Sequence, residues 1–173
     1  MKKHTMFAAV LLSLLTLFVS CGEKSSEAEN GVLQIGLVCS DLSKSLSFYT
    51  NIIGMKDVGG FEVDAKFGTD SGLSDGKPFK VKTLKLVDSP VATTLKLACC
   101  SDSTGTPPKY VTDTPGVRYI TFEVPSTKAI KERLAKNGIA LLGKEPVDLG
   151  DNLELFLVRD PDGVFVEIIG GKE

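Results

Sequence analysis

The sequence predicts an α+β fold made of two βαβββ modules joined into one domain around a central cleft. Three observations predict it. The order strand, helix, strand, strand, strand occurs twice. The two occurrences can be overlaid, and a proline-rich connector separates them. Either unit alone is too small to bury a four-stranded sheet, so the two must pack together.

The first module spans residues 32–100. Residues 32–39 (VLQIGLVC) are rich in branched side chains and read as a strand. Asp41 offers an N-cap, and Leu42, Leu46, Tyr49 and Ile53 recur at helical spacing up to a stop at Gly54. Residues 55–64 read as a second strand, 67–77 (FGTDSGLSDGK) as a loop, and 79–87 and 93–100 as two paired strands. Residues 101–116 hold three prolines and form the connector.

The second module, 117–170, repeats the order. Residues 117–124 (VRYITFEV) read as a strand. Ser126 caps a helix that runs through Ile130 and Leu134 and closes at Asn137-Gly138. Residues 139–149, 153–159 and 164–169 read as strands, the last two joined by a type I turn, Asp160-Pro161-Asp162-Gly163. That turn accounts for both aspartates without a catalytic pair. In the overlay, Gln34-Ile35-Gly36-Leu37 matches Tyr119-Ile120-Thr121-Phe122, and Leu95-Lys96-Leu97 matches Val166-Glu167-Ile168.

Residues 1–20 do not belong to the fold. Lys2 and Lys3 precede an apolar run from 6 to 19 interrupted only by Ser13 and Thr16, and Ser20-Cys21 follows. This is the layout of an export signal, and the run is short for a membrane span. The cysteine resembles that of a bacterial lipobox, which predicts a lipidated Cys21 at the mature N-terminus and an anchor in the cell envelope. Residues 22–31 form a polar tether, about 35 Å long at full stretch.

Removing the leader leaves 18 basic against 22 acidic residues, a formal charge of −4. An acidic chain with no tryptophan is a poor partner for nucleic acid. The only histidine, His4, departs with the leader. Histidine-based catalysis and histidine metal ligands are thereby excluded from the mature chain. Three cysteines remain, Cys39, Cys99 and Cys100, in no metal or redox spacing, and they read as small buried apolar residues. Asp70, Ser71, Ser74 and Asp75 lack the spacing of a calcium loop.

Asp41-Leu42, Ser45, Phe48-Tyr49 and Ile53-Gly54-Met55 at one end, with Asp160-Pro161-Asp162-Gly163 and Glu167 at the other, resemble the vicinal oxygen chelate superfamily of glyoxalases, bleomycin-resistance proteins and dioxygenases. The resemblance covers about residues 32–170. It implies a divalent metal held by the first and last strands of each module, at positions that here carry Gln34, Lys96, Tyr119 and Glu167. Gln34 and Glu167 are acceptable ligands. Lys96 is a cation that repels a metal, and Tyr119 coordinates only when deprotonated. The expectation is a cleft without a metal cofactor. There Lys96 pairs with Glu167 in place of the ion, with Glu123 on the face of Tyr119 as a further cleft residue. The leading functional expectation is binding of a small hydrophobic or amphipathic molecule, or of a partner protein. The alternatives are a metal-dependent lyase, isomerase or dioxygenase, and a homodimerising interaction module.

Overall fold

The computed structural model describes residues 32–99 and 106–173. The expected leader, Cys21, the tether and Cys100 lie outside the described residues. Two four-stranded mixed sheets are present, one per module. The first is ordered β1-β4-β3-β2, from β1 (Gln34–Cys39), β2 (Lys56–Val63), β3 (Phe79–Lys85) and β4 (Thr94–Cys99). The second is ordered β5-β8-β7-β6, from β5 (Tyr119–Ser126), β6 (Val147–Gly150), β7 (Leu153–Arg159) and β8 (Phe165–Gly171). In each, the first and last strands pair in parallel and the other contacts are antiparallel. The expected repeat is therefore real. Gly36 pairs with Lys96 in one sheet as Thr121 pairs with Glu167 in the other.

Helix α1 (Leu42–Ser47) begins where the sequence places it, because the Asp41 carboxylate accepts from the Lys44 amide at 3.1 Å. It continues as a wider π-helical turn, Phe48–Ile53. Gly54 ends it at φ +98°, a conformation that costs a side-chain-bearing residue, and its amide donates to the Tyr49 carbonyl. In the second module, α3 (Lys128–Lys136) is capped one residue later than expected, at Thr127, although the Ser126 hydroxyl still accepts from the Lys128 amide at 3.3 Å.

Two expectations need correction. Part of the expected loop 67–77 lies in a short helix, α2 (Ala65–Ser71). The Asp64 carboxylate caps it by accepting from the Phe67 amide at 2.7 Å, and a Lys66–Asp70 ion pair spans one turn. The expected strand 139–149 shrinks to Val147–Gly150. Gly143 and Pro146 break its first part, which keeps one sheet-like bond, from the Leu142 amide to the Leu157 carbonyl at 2.8 Å.

Alternation along the strands sorts the side chains. Leu95 and Leu97 of β4, Ile120 and Phe122 of β5, and Val166 and Ile168 of β8 are buried in one continuous core. Helical residues from both modules complete it, including Tyr49, Ile52, Ile130 and Leu134. The Arg133 Nε of α3 donates to the Ile52 carbonyl at 2.6 Å and ties the helices of the two modules together. With the core on these faces, the opposite faces carry Gln34, Gly36 and Lys96 in one sheet and Tyr119, Thr121 and Glu167 in the other. No helix among the described residues is long and apolar enough to cross a membrane.

Candidate functional site

The seam between the modules opens into a cavity of about 620 Å³ beside the first residues of β1 and β5. Its walls are mostly apolar, with Leu33, Ile35, Leu37, Val117 and Phe165 among them. Gln34, Arg118 and Tyr119 bring polar groups to the same space. Gly36 also lines it, and a Cβ built there meets nothing within 4 Å.

The Arg118 Nη2 donates to the Pro115 carbonyl at 2.6 Å, whereas its Nε is buried and has no hydrogen-bond partner among the described residues. A guanidinium N–H removed from water without an acceptor is unfavourable, but the side chain brings a full positive charge to the cavity lining. Arg159 braces the opposite wall. It donates to the carbonyls of Gly163 at 2.6 Å, Pro108 at 2.6 Å and Lys109 at 2.9 Å. Its guanidinium also stacks 4.0 Å from the Phe165 ring centroid. These bonds hold the Pro107-Pro108 segment against Gly163 at the rim. Arg118 bonds within its own stretch of chain, whereas Arg159 also reaches Pro108 and Lys109 in the distant connector, a pairing that no local sequence pattern signals.

A second group locks the modules. The Tyr49 hydroxyl donates to Asp160 Oδ2 at 2.9 Å. Asp160 Oδ1 accepts from the amides of Asp162 at 3.0 Å and Val164 at 2.8 Å. Asp162 in turn accepts from the Ser40 amide at 3.0 Å and the Ser45 hydroxyl at 3.0 Å. The aspartates are thus turn residues, as expected, and also the contact between the closing turn of one module and the opening helix of the other. Burial pushes the Asp160 carboxyl above the usual range, although the Val164 amide and the Tyr49 hydroxyl pull the other way. Burial, with Asp160 beside it, also pushes the Tyr49 hydroxyl up, so that it stays a donor.

The expected cleft residues divide. Gln34 and Tyr119 come together in the cavity. Lys96 and Glu167 do not line it and do not pair. Glu167 accepts from the Thr121 hydroxyl at 2.7 Å, while the Lys96 ammonium lies 5.7 Å from the Phe61 ring centroid. The expected ion pair is corrected for a physical reason: both faces are turned away from the shared core, and each charge finds a neighbour on its own sheet. Glu123 is exposed and lines a smaller cavity of about 270 Å³. Lys96→Ala is therefore expected to cost under about 1 kcal/mol, the scale of a half-exposed cation–ring contact, rather than that of a broken buried pair. Urea unfolding of the Lys96→Ala, Glu167→Ala and double variants checks this, with a coupling near zero expected.

The family's metal position can be judged on the same geometry. Lys96 brings a cation, and Glu167 stands apart from the cavity that holds Gln34 and Tyr119. Among the described residues, no three His, Cys, Asp or Glu side chains gather closely enough to hold an ion. This donor set does not fit a divalent metal.

With fold and site in view, comparison places the chain. Residues 31–168 match the model of the glyoxalase/bleomycin resistance protein/dioxygenase superfamily, and the chain belongs to that superfamily. A glyoxalase family protein from Bacillus cereus is 19% identical at a TM-score of 0.65, covering 82% of this chain and 94% of that one. A glyoxalase/bleomycin resistance/dioxygenase domain from Frankia sp. is 24% identical at 0.59, covering 82% and 98%. The trypanothione-dependent glyoxalase I of Leishmania major is 18% identical at 0.54, covering 80% and 85%. At these identities the likeness is one of fold. No protein of curated function is significantly similar.

Proposed function

We propose that this domain binds a small amphipathic molecule at the seam between its modules, without a metal ion, and that it does so as an exported protein anchored through a lipid on Cys21. The cavity carries the reading. Its volume suits a small organic ligand, its walls are mostly apolar, and a few polar side chains line it. Arg118 gives the ligand a preferred chemistry: an acceptor or anionic group drawn to the guanidinium charge on the cavity wall, with the apolar body against Leu33, Ile35, Leu37 and Val117. Gln34 and Tyr119, which also line the cavity, supply further hydrogen bonds. The export part rests on residues 1–21 alone.

Native mass spectrometry of protein purified from its producing cell tests the binding. A one-to-one organic adduct, lost on unfolding, is the expected result. A stoichiometric divalent metal would overturn it and favour a metal-dependent enzyme of the same superfamily.

A further inference from the structure

We propose that Cys39 and Cys99 form a disulfide that joins β1 to β4. The two residues are direct partners in the parallel ladder. Neighbouring strands lie about 4.8 Å apart, within the Cα separation of about 4.4–6.8 Å that a disulfide spans. Partners in a parallel ladder project to the same face, and here it is the core face: Cys39 is buried in the core and Cys99 packs against it. Both are free thiols in this structure. In the sequence, 59 intervening residues hide their pairing.

The chemistry has a direction. Burial pushes the Cys39 thiol up to about 12, with Cys99 and Asp162 nearby adding to the effect, so Cys39 is not the first nucleophile. Half-buried Cys99 begins, its thiolate attacking a small-molecule or protein disulfide and releasing one thiol. Cys39 then attacks the Cys99 Sγ of the mixed disulfide, and the second thiol leaves with the Cys39 proton. Two cysteine thiols are oxidised, one disulfide oxidant is reduced to two thiols, and the Cys99 and Cys39 protons end on those thiols. The bond closes a loop holding α1, β2, α2 and β3, and it fixes the end of the edge strand that carries Gln34 and Gly36 to the cavity. Its formation in the cell rests on the export reading, since an oxidising compartment is needed to keep it. Its formation from glutathione disulfide does not.

The test is to treat the full chain with glutathione disulfide and map its peptides without reduction. A Cys39–Cys99 cross-link is expected, with a rise in the urea midpoint equivalent to roughly a hundredfold in the unfolding constant. Cys100→Ser should keep both effects, and Cys39→Ser should lose both. A glutathione adduct persisting on Cys99 with Cys39 free, or a link through Cys100, would overturn the proposal whether or not the variants fold. A cross-link formed by glutathione disulfide in a chain that is found not to be exported would refute only the export reading.

Discussion

Tyr49→Ala is expected to destabilise the domain by about 3–5 kcal/mol, a large part of the 5–15 kcal/mol that holds a typical domain together. The side chain is fully buried, with its ring 5.1 Å from that of Phe48 and 6.4 Å from that of Phe122 across the module boundary. Removing it opens a cavity and takes from Asp160 the Tyr49 hydroxyl that donates to it. Tyr49→Phe separates the two effects. It keeps the ring and loses the hydroxyl, for about 1–3 kcal/mol. The pH dependence identifies the partner. Asp160 titrates above its unfolded value, so the folded state binds the proton more readily and stability falls as pH rises through that window. The Tyr49 hydroxyl holds this shift down, so Tyr49→Phe should steepen the fall, and Asp160→Asn should remove it. Urea midpoints measured across the acid range decide the matter.

The second large effect is expected at Lys131. Glu154 is almost fully buried and accepts from both the Thr127 hydroxyl and the Lys131 ammonium. Burial alone would raise its carboxyl, but the Lys131 and Thr127 bonds together hold it below the usual range. In the native protein its contribution is therefore present above the unfolded value and lost as pH falls through the lowered one. Lys131→Met leaves the carboxylate buried with one neutral donor. Because the lysine side chain is about a third exposed, the expected cost at neutral pH is about 2–3 kcal/mol rather than the 3–5 of a fully buried pair. With that ammonium gone the carboxyl is lowered less, so less stability should be lost as pH falls. Adding Glu154→Gln to Lys131→Met should recover much of the loss. No recovery would mean that Lys131 acts through its packing.

Local chemistry is what made the fold legible. Asp41 and Gly54 bracket the first helix, β7 is Leu153–Arg159 as read, and the Asp160–Gly163 turn closes with a 3.0 Å bond. Helix α2 was obscured by the glycines and serines that follow it, although Asp64 and the Lys66–Asp70 spacing were its signals. The site was legible only in part. Alternation put Gln34, Lys96, Tyr119 and Glu167 together on the cleft-facing side, but only Gln34 and Tyr119 line the cavity, because periodicity does not say which strand ends meet. The Tyr49–Asp160 bond and the Arg159 brace depend on residues that only the folded chain brings together.

The central claim, an amphipathic site at the seam, is tested most directly by titrating 8-anilinonaphthalene-1-sulfonate into the native protein and into Gly36→Phe. The probe offers an aromatic body for the apolar walls and a sulfonate for Arg118. Gly36 faces open space in the cavity, so a phenyl group there should fill the site without disturbing the sheet. Saturable one-to-one binding to the native protein, lost in a Gly36→Phe protein that unfolds at an unchanged urea midpoint, is the predicted result. Binding that survives Gly36→Phe undiminished, or no saturable binding to the native protein, would contradict the account.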